Sequence, residues 1–328
     1  MNQGAHIQPL PQTLGTTLRN RFTGVHLLGS SGRVHNTDAF QSGVNRFSNY
    51  LPLTESNCAI APVQRFAASN EQRLNALNEL QFLAEPRLLL GVRGGYGITR
   101  LLNGLNIQAI CTALSSSNSM LCAHSDFTAL QMALLAECLK HDRDIPQMLQ
   151  GPMLCVDFGE QTLDNKMLHW FENAVNGFPE SLNWHTEAAL PHSLVEQGLL
   201  WGGNLSMLVS LLGTPYFPKV SKGLLFIEDV NEHPYRIERM LMQLLHAGVL
   251  QQQNALIVGA CSDWKASPLD NGYDLNEALA YIQSQTQTPI IQGLPFGHIA
   301  EKASLPPGKI GQIGVERGEV LLSVVKTH

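Results

Sequence analysis

The feature that most constrains this chain is an order of segments repeated between about residues 25 and 150. A short apolar run leads into a turn rich in glycine or polar residues, and a stretch with helical spacing follows. Val25-His26-Leu27-Leu28 runs into Gly29-Ser30-Ser31-Gly32, and residues 87–92 end at Arg93-Gly94-Gly95-Tyr96-Gly97. Residues 119–123 meet His124-Ser125-Asp126, after which Phe127, Leu130, Leu134 and Cys138 recur at helical intervals. Leu74, Leu77, Leu80 and Leu83 mark a further amphipathic helix over residues 70–83. Buried strands alternating with helices dictate a parallel sheet covered on both faces, and such sheets gather ligands outside the carboxyl ends of their strands. The glycine- and serine-bearing turns fall at those ends.

Beyond residue 150 the alternation loosens, with Asn183-Trp184-His185-Thr186 in its midst, and a second α/β unit follows. It holds a Gly202-Gly203-Asn204-Leu205 turn, strands over 224–227, 255–258 and 289–292, and a helix over 234–246. At about 150 residues per domain, 328 residues suit two domains. The expected division is a polar tail over 1–20, a first domain over 21–160, a junction over 161–200 and a second domain over 201–328.

Composition removes several functions. Hydrophobic residues at 44% and charged residues at 15% describe a globular chain. A net charge of −6 without a basic cluster lacks the footprint of a nucleic-acid or anionic-membrane surface. No run reaches the ~18 apolar residues of a membrane span. The first residues show no cationic start followed by an apolar stretch, so a cytoplasmic location is expected. Cysteines at 58, 111, 122, 138, 155 and 261 form no C-x-x-C pair and no zinc-ligand pattern, and most should be reduced core residues.

Three positions could carry chemistry. Ser125 lies where an apolar strand turns sharply into a helix, which exposes a hydroxyl and points helix amides at an adjacent oxyanion. G-x-S-x-G is absent, and a serine there also serves as a helix cap. Glu228 ends the strand Leu224-Leu225-Phe226-Ile227 and is placed to orient a histidine; Asp229 competes for that role, and both also read as a solvated strand end. His298 follows Gly293-Leu294-Pro295-Phe296-Gly297, a loop shaped by glycine and proline. Gly94-Gly95-x-Gly97 fails the dinucleotide spacing, and no phosphate-binding G-x-x-x-x-G-K-[ST] loop is present.

Together these segments resemble the L,D-carboxypeptidase family, the muramoyl-tetrapeptide carboxypeptidases related to the microcin C immunity serine peptidases. The resemblance spans about residues 25–315. It rests on Asn70-Glu71-Gln72-Arg73-Leu74, Arg93-Gly94-Gly95-Tyr96-Gly97 with Arg100-Leu101-Leu102, Ser125-Asp126-Phe127-Thr128-Ala129-Leu130, and Gly151-Pro152-Met153. It continues through Gly202-Gly203-Asn204-Leu205-Ser206, Leu212-Gly213-Thr214, Glu228-Asp229-Val230, Pro234-Tyr235-Arg236-Ile237 and Pro295-Phe296-Gly297-His298.

The resemblance implies a flavodoxin-like N-terminal domain carrying the serine and a swivelling β/β/α-type C-terminal domain carrying acid and base. It implies a triad of Ser125, Glu228 and His298 needing no metal and no cofactor, with oxyanion donors at the backbone of Gly95 and Asp126. The substrate implied is a murein tetrapeptide cut before its terminal D-alanine in cell-wall recycling, by a homodimer. Arg93, Tyr96, Arg100 and Arg236 are candidates for holding that substrate. Alternatives are a microcin-immunity-type peptidase acting on aminoacyl nucleotides and a catalytically silent muropeptide-binding protein. Members of the family usually carry Gly-Tyr before the serine; here Ala123-His124 stands there. His124 is a second candidate base, although neighbouring side chains on extended backbone point apart.

Overall fold

The structure, a computed structural model, describes residues 7–55, 62–187 and 193–325. Its first sheet is made of β1 (Gly24–Leu28), β2 (Leu53–Glu55), β3 (Arg87–Gly91), β4 (Met120–Ala123) and β5 (Gln147–Gln150). All pairs are parallel, in the order β2-β1-β3-β4-β5. This is the flavodoxin-like order, and its direction reverses between β1 and β3, where a crevice opens beyond the carboxyl ends. Helices α1 (Gln12–Arg21), α2 (Thr37–Ser48), α3 (Asn70–Asn78), α4 (Ile107–Ser116), α5 (Thr128–Lys140) and α6 (Asn165–Val175) accompany it.

Two stretches are more ordered than their composition suggests. The expected polar tail contains α1, because Leu10, Leu14 and Leu18, four residues apart, bury one face against Phe22 and Phe47. Threonine, asparagine and glutamine between them hide that periodicity. The expected junction contains α6, capped by Asp164, whose Met167, Leu168 and Phe171 enter the same core.

The second sheet comprises β6 (Leu182–His185), β7 (Ser193–Asn204), β8 (Leu224–Val230), β9 (Ala255–Ser262), β10 (Ile290–Gln292), β11 (Ile310–Glu316) and β12 (Glu319–Val324). It runs β10-β9-β8-β7-β11-β12-β6, parallel from β10 to β7 and antiparallel beyond. Helices α7 (Leu205–Ser210), α8 (Pro234–His246) and α9 (Leu275–Gln285) complete it. Gly202-Gly203-Asn204 is not a turn but the end of β7. Gly203, at φ 132°, lies so close to the first unit that a Cβ would stand 2.6 Å from both Gln150 Nε2 and Thr128 Oγ1.

Helix α5 joins the two sheets. Every residue from Thr128 to Ala136 is buried, as expected of a helix covered on all sides. Leu130 and Leu134 share one apolar cluster with Trp201, Leu205 and Ile227, so a single core runs from one unit into the other. Cys111, Cys122, Cys138 and Cys155 are buried free thiols and Cys261 is half-buried; Cys58 lies outside the described residues. Among the described residues no helix is long and apolar enough to cross a membrane.

Candidate active site

Ser125 is the first residue after β4 and its connecting His124, and it sits at φ +62°, in the left-handed region that non-glycine residues seldom occupy. The sharp reversal turns the chain from strand into a 3-10 turn and then α5, a strained strand-to-helix corner at which Ser125 is 9% exposed. Gly94 is packed against it, since a Cβ there would meet Ser125 Cβ and Oγ at 2.7 Å. The neighbouring Asp126 laces the corner to the two glycine-bearing turns. Its Oδ2 accepts from Ser31 Oγ at 2.6 Å and from the Ile98 amide at 3.0 Å. Burial raises the Asp126 pKa, with these donors opposing the shift.

Glu228 is fully buried on β8, beside a break in the β8–β9 register between Ile227 and Asp229. Both of its oxygens are used: Oε2 lies 2.7 Å from His298 Nδ1, and Oε1 accepts from Asn204 Nδ2 at 3.1 Å. Asp229 is engaged elsewhere: its Oδ2 receives the Ser206 amide and hydroxyl at 2.8 and 2.7 Å, and its Oδ1 accepts from Asn204 Nδ2 at 3.1 Å. Adjacent strand residues diverge, so Asp229 does not compete for the histidine. The His298 loop is anchored by Phe296, which packs edge-on against Phe226 of β8 at 5.7 Å. His298 Nδ1 is thereby engaged, and no hydrogen bond joins Nε2 to Ser125.

His124 is engaged through both ring nitrogens. It is fully buried, its Nδ1 lies 2.8 Å from the Gly151 carbonyl and its Nε2 lies 3.2 Å from Lys302 Nζ. Its ring meets the ring of His298 edge-on at 5.1 Å, which brings His298 to the residue next to the serine. Asn204 also ties the halves together, accepting no role in the motif reading beyond a turn: its amide donates to Thr128 Oγ1 at 3.1 Å, and its side chain caps α7. Gly-Gly-Asn was visible in the sequence as a motif, whereas Lys302 and Asp157, which holds it at 2.7 Å, carry no signal in their neighbours.

The candidate substrate residues separate. Arg93 is half-buried, donates to the Arg33 carbonyl at 2.8 Å, and pairs with no carboxylate among the described residues. Burial and the like charges of Arg33 and Arg65 lower its pKa. Tyr96 is 39% exposed, with the Arg65 guanidinium 5.7 Å from its ring. Arg100 lies over Phe66 at 4.7 Å, and Arg236 pairs with Glu232 at 3.4 Å on the first turn of α8. Gly95, at φ +121°, lies against Gly32 across the crevice. Among the described residues no group of His, Cys, Asp and Glu is placed to hold a metal ion.

Comparison with known proteins identifies the family and the fold. Residues 25–140 match the model of the LD-carboxypeptidase N-terminal domain, and residues 197–313 match that of the C-terminal domain. A murein tetrapeptide carboxypeptidase of Pseudomonas aeruginosa is 28% identical over 250 residues, covering 74% of this chain and 77% of that protein. The crystal structure of a muramoyltetrapeptide carboxypeptidase from Oxalobacter formigenes superposes with a TM-score of 0.82 at 34% identity, over 93% of this chain and 99% of that one. A microcin C7 self-immunity protein, MccF, bound to aspartyl sulfamoyl adenosine shares the fold with a TM-score of 0.77 at 19% identity, over 92% and 96%.

Proposed function

The chain belongs to the LD-carboxypeptidase family, and from that premise we propose that it is a metal-independent serine carboxypeptidase releasing the terminal D-alanine of murein tetrapeptides. The observation that carries this reading is the 2.7 Å Glu228–His298 pair, delivered from the second sheet to the residue beside the left-handed Ser125. In the proposed reaction His298 Nε2 takes the Ser125 proton as Oγ attacks the carbonyl, and Glu228 holds the ring with hydrogen on Nδ1 and stabilises the imidazolium. Backbone amides of Gly95 and Asp126 receive the oxyanion. His298 then returns its proton to the departing amine, and water repeats the sequence on the acyl-enzyme.

Arg93 is the cation we assign to the substrate's free carboxylate. It stands on the segment leading to Gly94-Gly95, its Nε is buried without an acceptor, and Arg33 and Arg65 add like charge beside it. Arg100 and Arg236 are engaged elsewhere. The setting we propose is cytoplasmic recycling of cell-wall fragments by a homodimer. A periplasmic pool on fractionation, or a monomeric mass in light scattering, would count against those two points.

The test is mass spectrometry of a murein tetrapeptide incubated with the protein in EDTA, with Ser125→Ala alongside. Loss of one alanine by the wild type alone is the expected result; equal loss by both removes Ser125 from the mechanism. A second reading has one observation in its favour. His233, at the end of the loop after β8, and Tyr235, at the start of α8, stack at 5.6 Å, with Trp264 of the loop after β9 6.1 Å from His233. Aromatic faces there suit a nucleobase, so an aminoacyl sulfamoyl adenosine belongs in the same assay, and its preferred cleavage would move the assignment to the nucleotide-conjugate peptidases.

A further inference from the structure

Behind His298 lies a buried polar chain that the triad does not use. Lys302 is four residues beyond His298 on the same loop and 2% exposed. Its Nζ lies 2.7 Å from Asp157 Oδ1 and 3.2 Å from His124 Nε2. Asp157 is fixed in turn, its Oδ2 accepting from the Met153 amide at 2.7 Å. The Gly151 carbonyl at 2.8 Å from His124 Nδ1 can only accept, so the hydrogen of that imidazole sits on Nδ1 and Nε2 is the acceptor for the ammonium. The loop bearing His298 is thus pinned to the unit bearing Ser125 by a buried ion pair, and breaking one side of such a pair strands a charge away from water.

The surroundings hold the His124 ring uncharged. Burial, then the Lys302 ammonium, then His298 hold the His124 pKa well below the ordinary histidine range. Facing this pair of rings are Glu228 from β8, Lys302 from the loop, Asp157 from the segment after β5, and Cys122 from β4. Burial pushes the Cys122 thiol up, so it stays neutral. His124, His298, Lys302 and Asp157 line one side of a cavity of about 620 Å³.

We propose that Lys302 is a positioning residue: gripped by Asp157, it fixes His124 as the uncharged Nδ1–H tautomer and, through that ring and their shared loop, sets where the His298 imidazole stands relative to Ser125. The proposal rests on His298 being the general base. Its chemical logic is that His298 must become an imidazolium in the transition state, and a second imidazolium 5.1 Å away would oppose it. A lysine already charged on the far side of His124 denies that ring a proton.

The experiment is the pH dependence of D-alanine release by the full-length protein. The variants are Lys302→Met/Asp157→Asn, which strands no charge, and Lys302→Gln, which keeps hydrogen-bonding reach. Expected are a loss in kcat of about tenfold with KM within about twofold, and an acid limb of kcat/KM steepening from one proton toward two as His124 begins to titrate. Adding His124→Phe to the double variant should return the limb to one proton. A variant with wild-type kcat and an unchanged acid limb overturns the proposal. On the wild type, imidazole ¹⁵N shifts should keep His124 neutral with hydrogen on Nδ1 from about pH 5 to 9, whereas a titrating His124 refutes it without any variant having to fold. His298→Ala separates the two levels. An active His298→Ala protein sinks the triad, while an inactive one beside an unchanged Lys302 profile sinks only the role of Lys302.

Discussion

Replacing Glu228 by glutamine changes one atom, and the environment decides which way the amide turns. Asn204 Nδ2 is a donor at 3.1 Å from Oε1, and Asn204 cannot flip to offer its oxygen, because that oxygen accepts from the Met207 amide at 3.1 Å to cap α7. Its amide donors also serve Asp229 Oδ1 at 3.1 Å. The glutamine oxygen must therefore face Asn204, and its NH₂ must face His298 Nδ1. A donor there forces the imidazole hydrogen onto Nε2, the nitrogen that has to accept the Ser125 proton. By analogy with the wrong-tautomer effect in serine proteases, the expected loss in kcat is about 10⁴-fold, or about 5.5 kcal/mol of transition-state stabilisation. Folding should suffer little, since shape and both hydrogen bonds survive. The assay is D-alanine release from the tetrapeptide, with a thermal melt of each protein. A Glu228→Gln enzyme within about tenfold of wild type would refute the argument.

Other consequences can be measured directly. Arg93→Met should raise KM for the tetrapeptide by about tenfold or more with kcat little changed, and an amidated C-terminus should produce the same loss in the wild type; a pure kcat effect would contradict its binding role. Gly203→Ala puts a methyl 2.6 Å from Gln150 and Thr128 at a φ that only glycine adopts readily, and should cost about 2–4 kcal/mol in a urea melt. A cost under about 0.5 kcal/mol would mean the two units separate freely there. Because the folded-state pKa of His124 lies below its ordinary value of 6.5, the unfolded chain binds the extra proton first. Stability from this group is therefore complete above about pH 6.5 and falls on acidification, at no more than about 1.4 kcal/mol per pH unit. His124→Asn should flatten that slope; His26, also lowered by burial, contributes in the same direction.

The local sequence pattern announced each half of the site separately, and only the family resemblance announced their meeting. Strand, turn and helix around Ser125 were legible because period and turn chemistry agree locally, and the same holds for β8 with Glu228 and for the helix over Pro234–His246. The antiparallel strands β6, β11 and β12 were not, since their alternation is interrupted by glycine and by polar residues on an open face. What joins the halves is carried by contacts between residues far apart in the chain. Gln150 exchanges backbone hydrogen bonds with Leu305 at 2.8 and 2.9 Å, Asn204 reaches Thr128, and Lys302 reaches Asp157 and His124. None of these has a local pattern. Yet each lies within a few residues of Ser125, Glu228 or His298, which follows if the site exists only where the sheets dock. A weak junction would leave the serine on one body and its base on another. Helix α5, buried from Thr128 to Ala136, with Ser125 just before its N-terminus and its apolar residues in the cluster that runs through both units, makes that separation costly in apolar area. Substitutions along this seam should therefore lower activity and stability together, whereas those in the triad should lower activity alone.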